Sequence, residues 1–69
     1  MLYKHYKGGL YRVLFEGWYE PSLEEVTIYM SVENGMVWVR PTEVFHELVR
    51  VENDEEIPRF REVDERLRQ

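Results

Sequence analysis

The clearest alternation of apolar and polar residues lies mid-chain, in two segments separated by Asn34-Gly35. The first segment, VTIYMSV at 26–32, is rich in β-branched residues and has a period of two, which predicts a β-strand. The second segment, MVWV at 36–39, is also apolar and β-branched. Because an Asn-Gly pair between such segments is typical of a type I′ turn, the pattern predicts a two-residue β-hairpin.

The predicted turn defines which residues of the hairpin face each other. The expected pairs are Glu33–Met36, Val32–Val37, Ser31–Trp38, Met30–Val39 and Tyr29–Arg40. We expect the apolar face to form the core, and it comprises Val26, Ile28, Met30, Val32, Val37 and Val39. The opposite face carries Thr27, Tyr29, Ser31, Met36, Trp38 and Arg40. In this prediction Trp38 therefore lies outside the core.

Three further segments have the pattern of strands or extended chain. Residues 10–20, LYRVLFEGWYE, place Tyr11, Val13 and Phe15 on one side, and Gly17 indicates a bulge or bend. Residues 47–52 alternate again, and residues 57–60 form a short extended segment. The polar runs EPSLEE and NDEE between these segments predict loops.

Pro41 ends the second hairpin strand because it lacks a ladder donor. The following TEVF suits a single 3₁₀ turn with Thr42 as its cap, and we expect Phe45 to plug one end of the core. Several short strands with one tight hairpin predict an all-β fold, a small, strongly bent antiparallel barrel. The domain would span residues 1–61, and residues 62–69 would form a helical or disordered tail.

A chain of 69 residues with no cysteine must be stabilised by packing, and its ten aromatic residues suit that requirement. With only His5 and His46 available, we expect no structural metal and no cofactor. No segment resembles a signal peptide or approaches the length of a membrane span. The sequence predicts a soluble protein with a cytoplasmic location.

The net charge of −5 is unevenly distributed along the chain. Residues 1–20 carry Lys4, Lys7 and Arg12 against two glutamates, while the rest of the chain is acidic. Nucleic-acid affinity depends on clustered cations, and no dense basic run is present. The charge therefore argues against nucleic acid as the main partner.

Four segments in order carry a resemblance to a known family: HYKGGLYRVL at 5–14, EEVTIYMSV at 24–32, WVRPTEVF at 38–45 and IPRF at 57–60. Over residues 3–61 the chain resembles the small bacterial family called domain of unknown function 1653. The resemblance implies an SH3-type β-barrel. It implies no activity, because that family has no assigned catalytic residues.

The residues needed for catalysis are not arranged in a recognisable pattern. Ser22 and Ser31 stand in no nucleophile motif, and the acidic pairs lie in predicted loops where carboxylates are solvated. We expect structural roles for His5, in an N-terminal strand, and for His46, at a turn. The sequence therefore predicts a protein that is not an enzyme.

Binding is the better-supported class of function. The first candidate surface consists of Tyr29, Trp38 and Arg40, joined by Arg12 from a neighbouring strand. Tryptophan, tyrosine and arginine are enriched at interface hot spots, although the same residues could simply form cross-strand packing pairs. The second candidate surface consists of Tyr3, Lys4, Tyr6, Lys7, Trp18 and Tyr19.

These surfaces leave three hypotheses about the partner. The first is a protein or peptide, held by an aromatic-lined groove. The alternative is single-stranded RNA, with bases stacked on aromatic rings and lysines along the phosphates. The second alternative is a homodimer formed through an exposed aromatic face or an unpaired edge strand.

Overall fold

The computed structural model describes residues 1–64. Its elements are β1 (Leu2–His5), β2 (Leu10–Tyr19), β3 (Glu24–Ser31), β4 (Val37–Pro41), α1 (Thr42–Phe45), β5 (Leu48–Arg50), β6 (Glu56–Pro58) and β7 (Phe60–Val63). The strands form an antiparallel five-stranded sheet, in the order β4-β3-β2-β1-β7, and a separate β5–β6 hairpin. The predicted all-β class is confirmed.

The five-stranded sheet curls strongly but does not close into the predicted barrel. Phe60 and Tyr29 lie three strands apart, about 14 Å in a flat sheet, yet their ring centroids are 5.3 Å apart. Arg40, on the opposite edge strand from Phe60, has its Cζ 5.8 Å from the centre of the Phe60 ring. Side chains rather than backbone groups therefore connect the edge strands β4 and β7. We call the gap between these two strands the open seam.

The core is an aromatic cluster on one face of the sheet. Phe45 is fully buried and stacks on Phe60 at a centroid distance of 4.1 Å, with Tyr29 edge-on at 5.2 Å. Tyr3, Tyr11 and Val13 pack around this cluster. The prediction that Phe45 plugs the core is confirmed, because large rings fill the space that a short chain could not otherwise fill.

The turn that delivers Phe45 is α-helical and not 3₁₀ as predicted. The His46 N–H donates to the Thr42 carbonyl, and this four-residue spacing defines an α-turn. Thr42 is not the cap, because Pro41 holds the N-cap position and makes no side-chain cap bond. The Thr42 hydroxyl instead lies 2.9 Å from the buried Thr27 hydroxyl, which ties α1 to β3.

The β3–β4 register differs from the predicted one by two residues. The observed pairs include Tyr29–Trp38, Met30–Val37 and Thr27–Arg40. The loop contains four residues, since Gly35 N donates to the Ser31 carbonyl and Ser31 N donates to the Met36 carbonyl. Within this loop only Gly35 has a positive φ, +74°, whereas a type I′ turn needs two such residues. The Asn34 side chain accepts the Met36 N–H and stabilises the wider loop.

The two faces of this hairpin keep their predicted membership, but the buried face is the opposite one. A two-residue shift preserves the side of every side chain. Thr27, Tyr29 and Ser31 are buried, while Val32, Val37 and Val39 of the predicted core are exposed. Of that predicted core only Val26 is buried, and the prediction of the core face is wrong because Phe45 and Phe60 cover the other side.

Two further predictions about the strands need correction. The bulge in β2 falls between Val13 and Phe15, and Gly17 pairs regularly with Val26. The bulge moves Phe15 to the face opposite Val13, where it is exposed. At the other end of the chain, β7 pairs with β1 as far as Val63, which lies within the predicted tail. The rest of that tail, residues 65–69, lies outside the described residues.

Candidate functional site

The open seam contains a cavity of about 170 Å³, which we call the aromatic cleft. Its lining residues are His5, Tyr11, Tyr29, Trp38, Arg40 and Phe60. They come from five strands, and cross-strand pairing places them on the same face of the sheet. The curl of the sheet then brings both edges around one space.

Strand β4 positions Trp38 and Arg40, two of the three cleft residues that were predicted from the sequence to bind; the third, Tyr29, lies on β3. Trp38 is 45% exposed and forms the outer wall of the cleft. Arg40 is half-buried, its Nε donates to the Tyr29 hydroxyl at 3.1 Å, and its guanidinium lies over Phe60. Tyr29 is buried, so it holds Arg40 in place and offers little contact surface itself.

His5 lies at the inner end of the cleft in a cationic environment. Its ring contacts Phe60 at 4.8 Å, and its Nδ1 accepts the Lys7 N–H. Burial lowers the pKa of His5, and the charges of Arg40, Arg59 and Lys7 lower it further. Because an acidic chain concentrates cations here, the local electrostatics suit an anionic group.

The outer edge of β4 carries free backbone groups beside the cleft. Ser31 and Met36 form a hydrogen-bonded pair, because the Ser31 N–H donates to the Met36 carbonyl. Hydrogen-bonded and non-hydrogen-bonded pairs alternate along an antiparallel ladder. The backbone groups of Trp38 and Arg40 therefore bond to β3. Val37 and Val39 consequently direct their N–H and C=O groups away from β3. Within residues 1–64, no backbone hydrogen bond outside the sheet uses these groups.

The face opposite the cleft carries an exposed apolar strip, defined as Phe15, Ile28, Met30, Val37 and Val39. Phe15, Ile28 and Val39 are direct cross-strand neighbours and form one row, and Met30 and Val37 pair beside them. Phe15, Val37 and Val39 are each more than half exposed. Edge strand β4 is thus apolar on its outer face and unpaired along its edge.

Other predicted site residues lie away from the cleft. Arg12 pairs with Met30, which places it on the face opposite Trp38 and Arg40. The second candidate surface is divided: Tyr3 packs on Phe45, while Lys4 lies on the opposite face next to Arg61. Tyr6 and Lys7 contact each other in the turn after β1. Trp18 and Tyr19 are exposed at the far end of β2.

Sequence reasoning missed His5, Tyr11 and Phe60 as cleft residues. Tyr11 was placed with Val13 and Phe15 on one side of a strand, which gave no indication of a partner across the sheet. Phe60 reaches Tyr29 only through the curl of four strands. No local pattern in the sequence reports such a contact, because its sequence separation is large.

The described residues offer no metal site and no membrane-spanning helix. Within residues 1–64, no three histidine, aspartate or glutamate side chains are placed to hold one metal ion. No helix in the same range has both the length and the apolar composition needed to cross a bilayer.

The family model described as "Protein of unknown function (DUF1653)" matches residues 1–62, so the chain belongs to this family. The membership expected from the sequence motifs is confirmed. No curated protein and no solved structure matches the chain. The family itself assigns no activity, and function must be argued from the site.

Proposed function

We propose that this member of the DUF1653 family is a non-enzymatic interaction module that binds an extended acidic segment of a partner protein at the open seam. The observation that carries the proposal is the free edge of β4. This edge has unpaired backbone groups at Val37 and Val39, with the aromatic cleft on one side and the apolar strip on the other. An added strand would use all three features together.

Backbone pairing would supply the affinity. The N–H and C=O groups of Val37 and Val39 match the spacing of an antiparallel partner strand. Pro41 and the short length of β4 limit the added strand to a few pairs. Side chains on alternating positions of the partner would therefore have to contribute as well.

Charge and alternation define the partner segment. Residues pointing to the cleft side would meet Trp38 and Arg40, and Arg40 has no carboxylate partner within residues 1–64. A glutamate or aspartate at that position would form a charge-assisted bond. Residues pointing to the other side would meet Val37 and Val39, which favours valine or isoleucine. The expected motif alternates acidic and β-branched residues.

The test is a titration with a soluble peptide of about six residues, alternating glutamate and valine. The chain has two tryptophans, so a Trp18→Phe background makes the fluorescence report Trp38 alone. We expect a shift in Trp38 emission, together with NMR shifts at the Val37 and Val39 amides. A matched lysine–valine peptide should bind weakly or not at all. Equal binding of both peptides, or no shift at β4, would contradict the proposal.

Two variants separate the backbone and charge contributions. Val39→Pro removes a free edge donor without disturbing the β3 ladder, and it should abolish peptide binding, whereas Val39→Ala should retain it. Arg40→Gln should weaken binding about tenfold, the effect of losing one charge-assisted hydrogen bond. Arg50→Gln, which removes an exposed arginine on β5, is the matched control and should bind as the parent does.

A homodimer is the second candidate, and the same edge supports it. Pairing two β4 strands about Trp38 would place Val37 of one copy opposite Val39 of the other, with both in hydrogen-bonded positions. Sedimentation at two concentrations tests this arrangement, and Val39→Pro should dissociate such a dimer. If the chain is monomeric at both concentrations, the homodimer is excluded and the acidic segment of another protein remains the proposed partner. Single-stranded RNA, added as a competitor in the peptide titration, tests the hypothesis that the chain binds RNA.

A further inference from the structure

Two cations face each other directly at the β7 edge of the sheet, which is opposite to β4 in the strand order. Lys4 on β1 pairs with Arg61 on β7, and both side chains are exposed on the face opposite the aromatic core. Like charges at directly opposed positions destabilise an antiparallel pair. The β5–β6 hairpin shows the usual arrangement, with Arg50 opposite Glu56 and an ion pair between them at 3.4 Å. Among the residues that the structure describes, no carboxylate forms an ion pair with Lys4 or Arg61.

Lys4 and Arg61 flank a cavity of about 350 Å³. The cavity lies between the end of β1, strand β6 and the start of β7, and its other lining residues are His5, Tyr6, Ile57 and Pro58. This volume lies at the lower end of the range for small-molecule sites. The walls thus combine two point charges on one side with a tyrosine ring and aliphatic groups on the other.

Two glutamates on segments next to this cavity are engaged in ion pairs. Glu47 pairs with Arg59 at 2.7 Å, and Glu56 pairs with Arg50. Lys7 adds a third positive charge, with its Nζ 5.7 Å from the centre of the Tyr6 ring. Within residues 1–64, neither Lys4 nor Arg61 forms an ion pair. The positive potential at the cavity is therefore available to a ligand.

We propose that this cavity binds a phosphate ester that carries a flat ring, the chemistry of a nucleotide. The phosphate would bridge Lys4 and Arg61, where two cations favour a group bearing more than one negative charge. The ring would lie against Tyr6 and Pro58. His5 lines both this cavity and the aromatic cleft, but Lys4 and Arg61 do not line the cleft, so variants at these two residues test this proposal separately from peptide binding.

The test is an NMR and calorimetric titration with adenosine monophosphate, with adenosine as the ligand that lacks the phosphate. We expect adenosine monophosphate to shift the Lys4, Tyr6 and Arg61 signals and to bind at least about tenfold more tightly than adenosine. Its affinity should fall as salt is raised towards about 0.15 M. A parallel titration with a six-nucleotide oligouridine shows whether the cavity binds a free nucleotide or a nucleotide within an RNA strand.

Variants at the two cations decide the outcome. Lys4→Gln and Arg61→Gln should each weaken binding about tenfold, and the double variant should abolish it. The fold should be retained, with Tm unchanged or raised, because each substitution removes a like-charge contact. Lys4→Arg, which keeps the positive charge at this position, serves as the control and should retain binding.

Each result bears on the proposal. The proposal is supported if the parent chain binds adenosine monophosphate or the oligouridine and the folded double variant does not. Whichever of the two ligands binds then identifies the source of the phosphate. Binding that persists in the double variant, or no binding of either ligand to the parent chain, overturns it.

Discussion

The two faces of the β3–β4 hairpin differ in a way that hydrophobicity alone does not explain. One face carries Thr27, Tyr29 and Ser31 and is buried, although each of these residues has a hydroxyl group. The other face carries Val37 and Val39, which are more than half exposed. The buried hydroxyls have partners: Thr27 contacts Thr42, and Tyr29 accepts a bond from Arg40.

The elements that cover the sheet, rather than the apolar pattern of its strands, decide which face becomes the core. Phe45 from α1 and Phe60 from β7 pack on the hydroxyl-bearing face because both edges of the sheet curl towards it. Large rings bury more area than valines do, and the polar groups beneath them remain hydrogen-bonded. The apolar strip on the other face remains largely exposed.

The largest expected effect comes from removing the plug of the buried face. Phe45→Ala should destabilise the fold by about 3–5 kcal/mol, because it leaves a cavity among Tyr3, Tyr29 and Phe60. Val39→Ala on the exposed face should change stability by no more than about 0.5 kcal/mol. Chemical denaturation of both variants measures the contrast. Similar losses in the two variants would show that the faces are not distinguished as described.

A smaller effect tests how the buried hydroxyls are satisfied. Tyr29→Phe removes the acceptor of the Arg40 Nε bond and should cost about 0.5–1.5 kcal/mol. Tyr19→Phe, at an exposed ring on the far end of β2, should cost almost nothing. If Tyr29→Phe is neutral while Arg40 becomes mobile by NMR, the bond positions the arginine without stabilising the fold.

The smallest effect concerns the pH dependence of the buried face. Burial lowers the pKa of His5 in the folded chain, and the charges of Arg40, Arg59 and Lys7 lower it further. Two more cations, Lys4 and Arg61, line the 350 Å³ cavity that His5 also lines. A lowered folded pKa means that the unfolded chain takes up the proton first, so stability falls as pH drops below the unfolded value of about 6.5. His5→Asn should therefore lose less stability than the parent between about pH 7 and pH 5.

Arg40→Gln sharpens this measurement. Removing one of the charges that act on His5 should reduce the slope of stability against pH without eliminating it, because the burial contribution remains. Equal slopes in the parent chain and in His5→Asn would assign the acid sensitivity to other groups. Thermal melts over this pH range are sufficient for the comparison.

The fold class and the approximate positions of strands were predictable from residue type and periodicity. The strand at 26–32, the return strand at 36–39 and the buried Phe45 follow from local patterns. The turn was not predictable, because Asn34 can either adopt a positive φ or cap the loop with its side chain. The bulge beside Leu14 was missed because no glycine marks it.

The candidate site was predictable only in part. Trp38 and Arg40 are two residues apart on one strand, so they share a face in any register. They also share the face of Tyr29 in any β3–β4 register shifted by an even number of residues. The exclusion of Arg12 depends on the β2–β3 register, which no turn motif specifies. His5 and Phe60 join the cleft through contacts between distant segments.

Local sequence specifies the strands, the parity of the side chains along β3 and β4, and the aromatic plug after Pro41, because these depend on residues close together in the chain. Tertiary packing sets which face is buried and where the sheet remains open. Those outcomes depend on how β7 and α1 pack across the curled sheet. The free edge of β4, with Trp38 and Arg40 beside it, is a consequence of that packing.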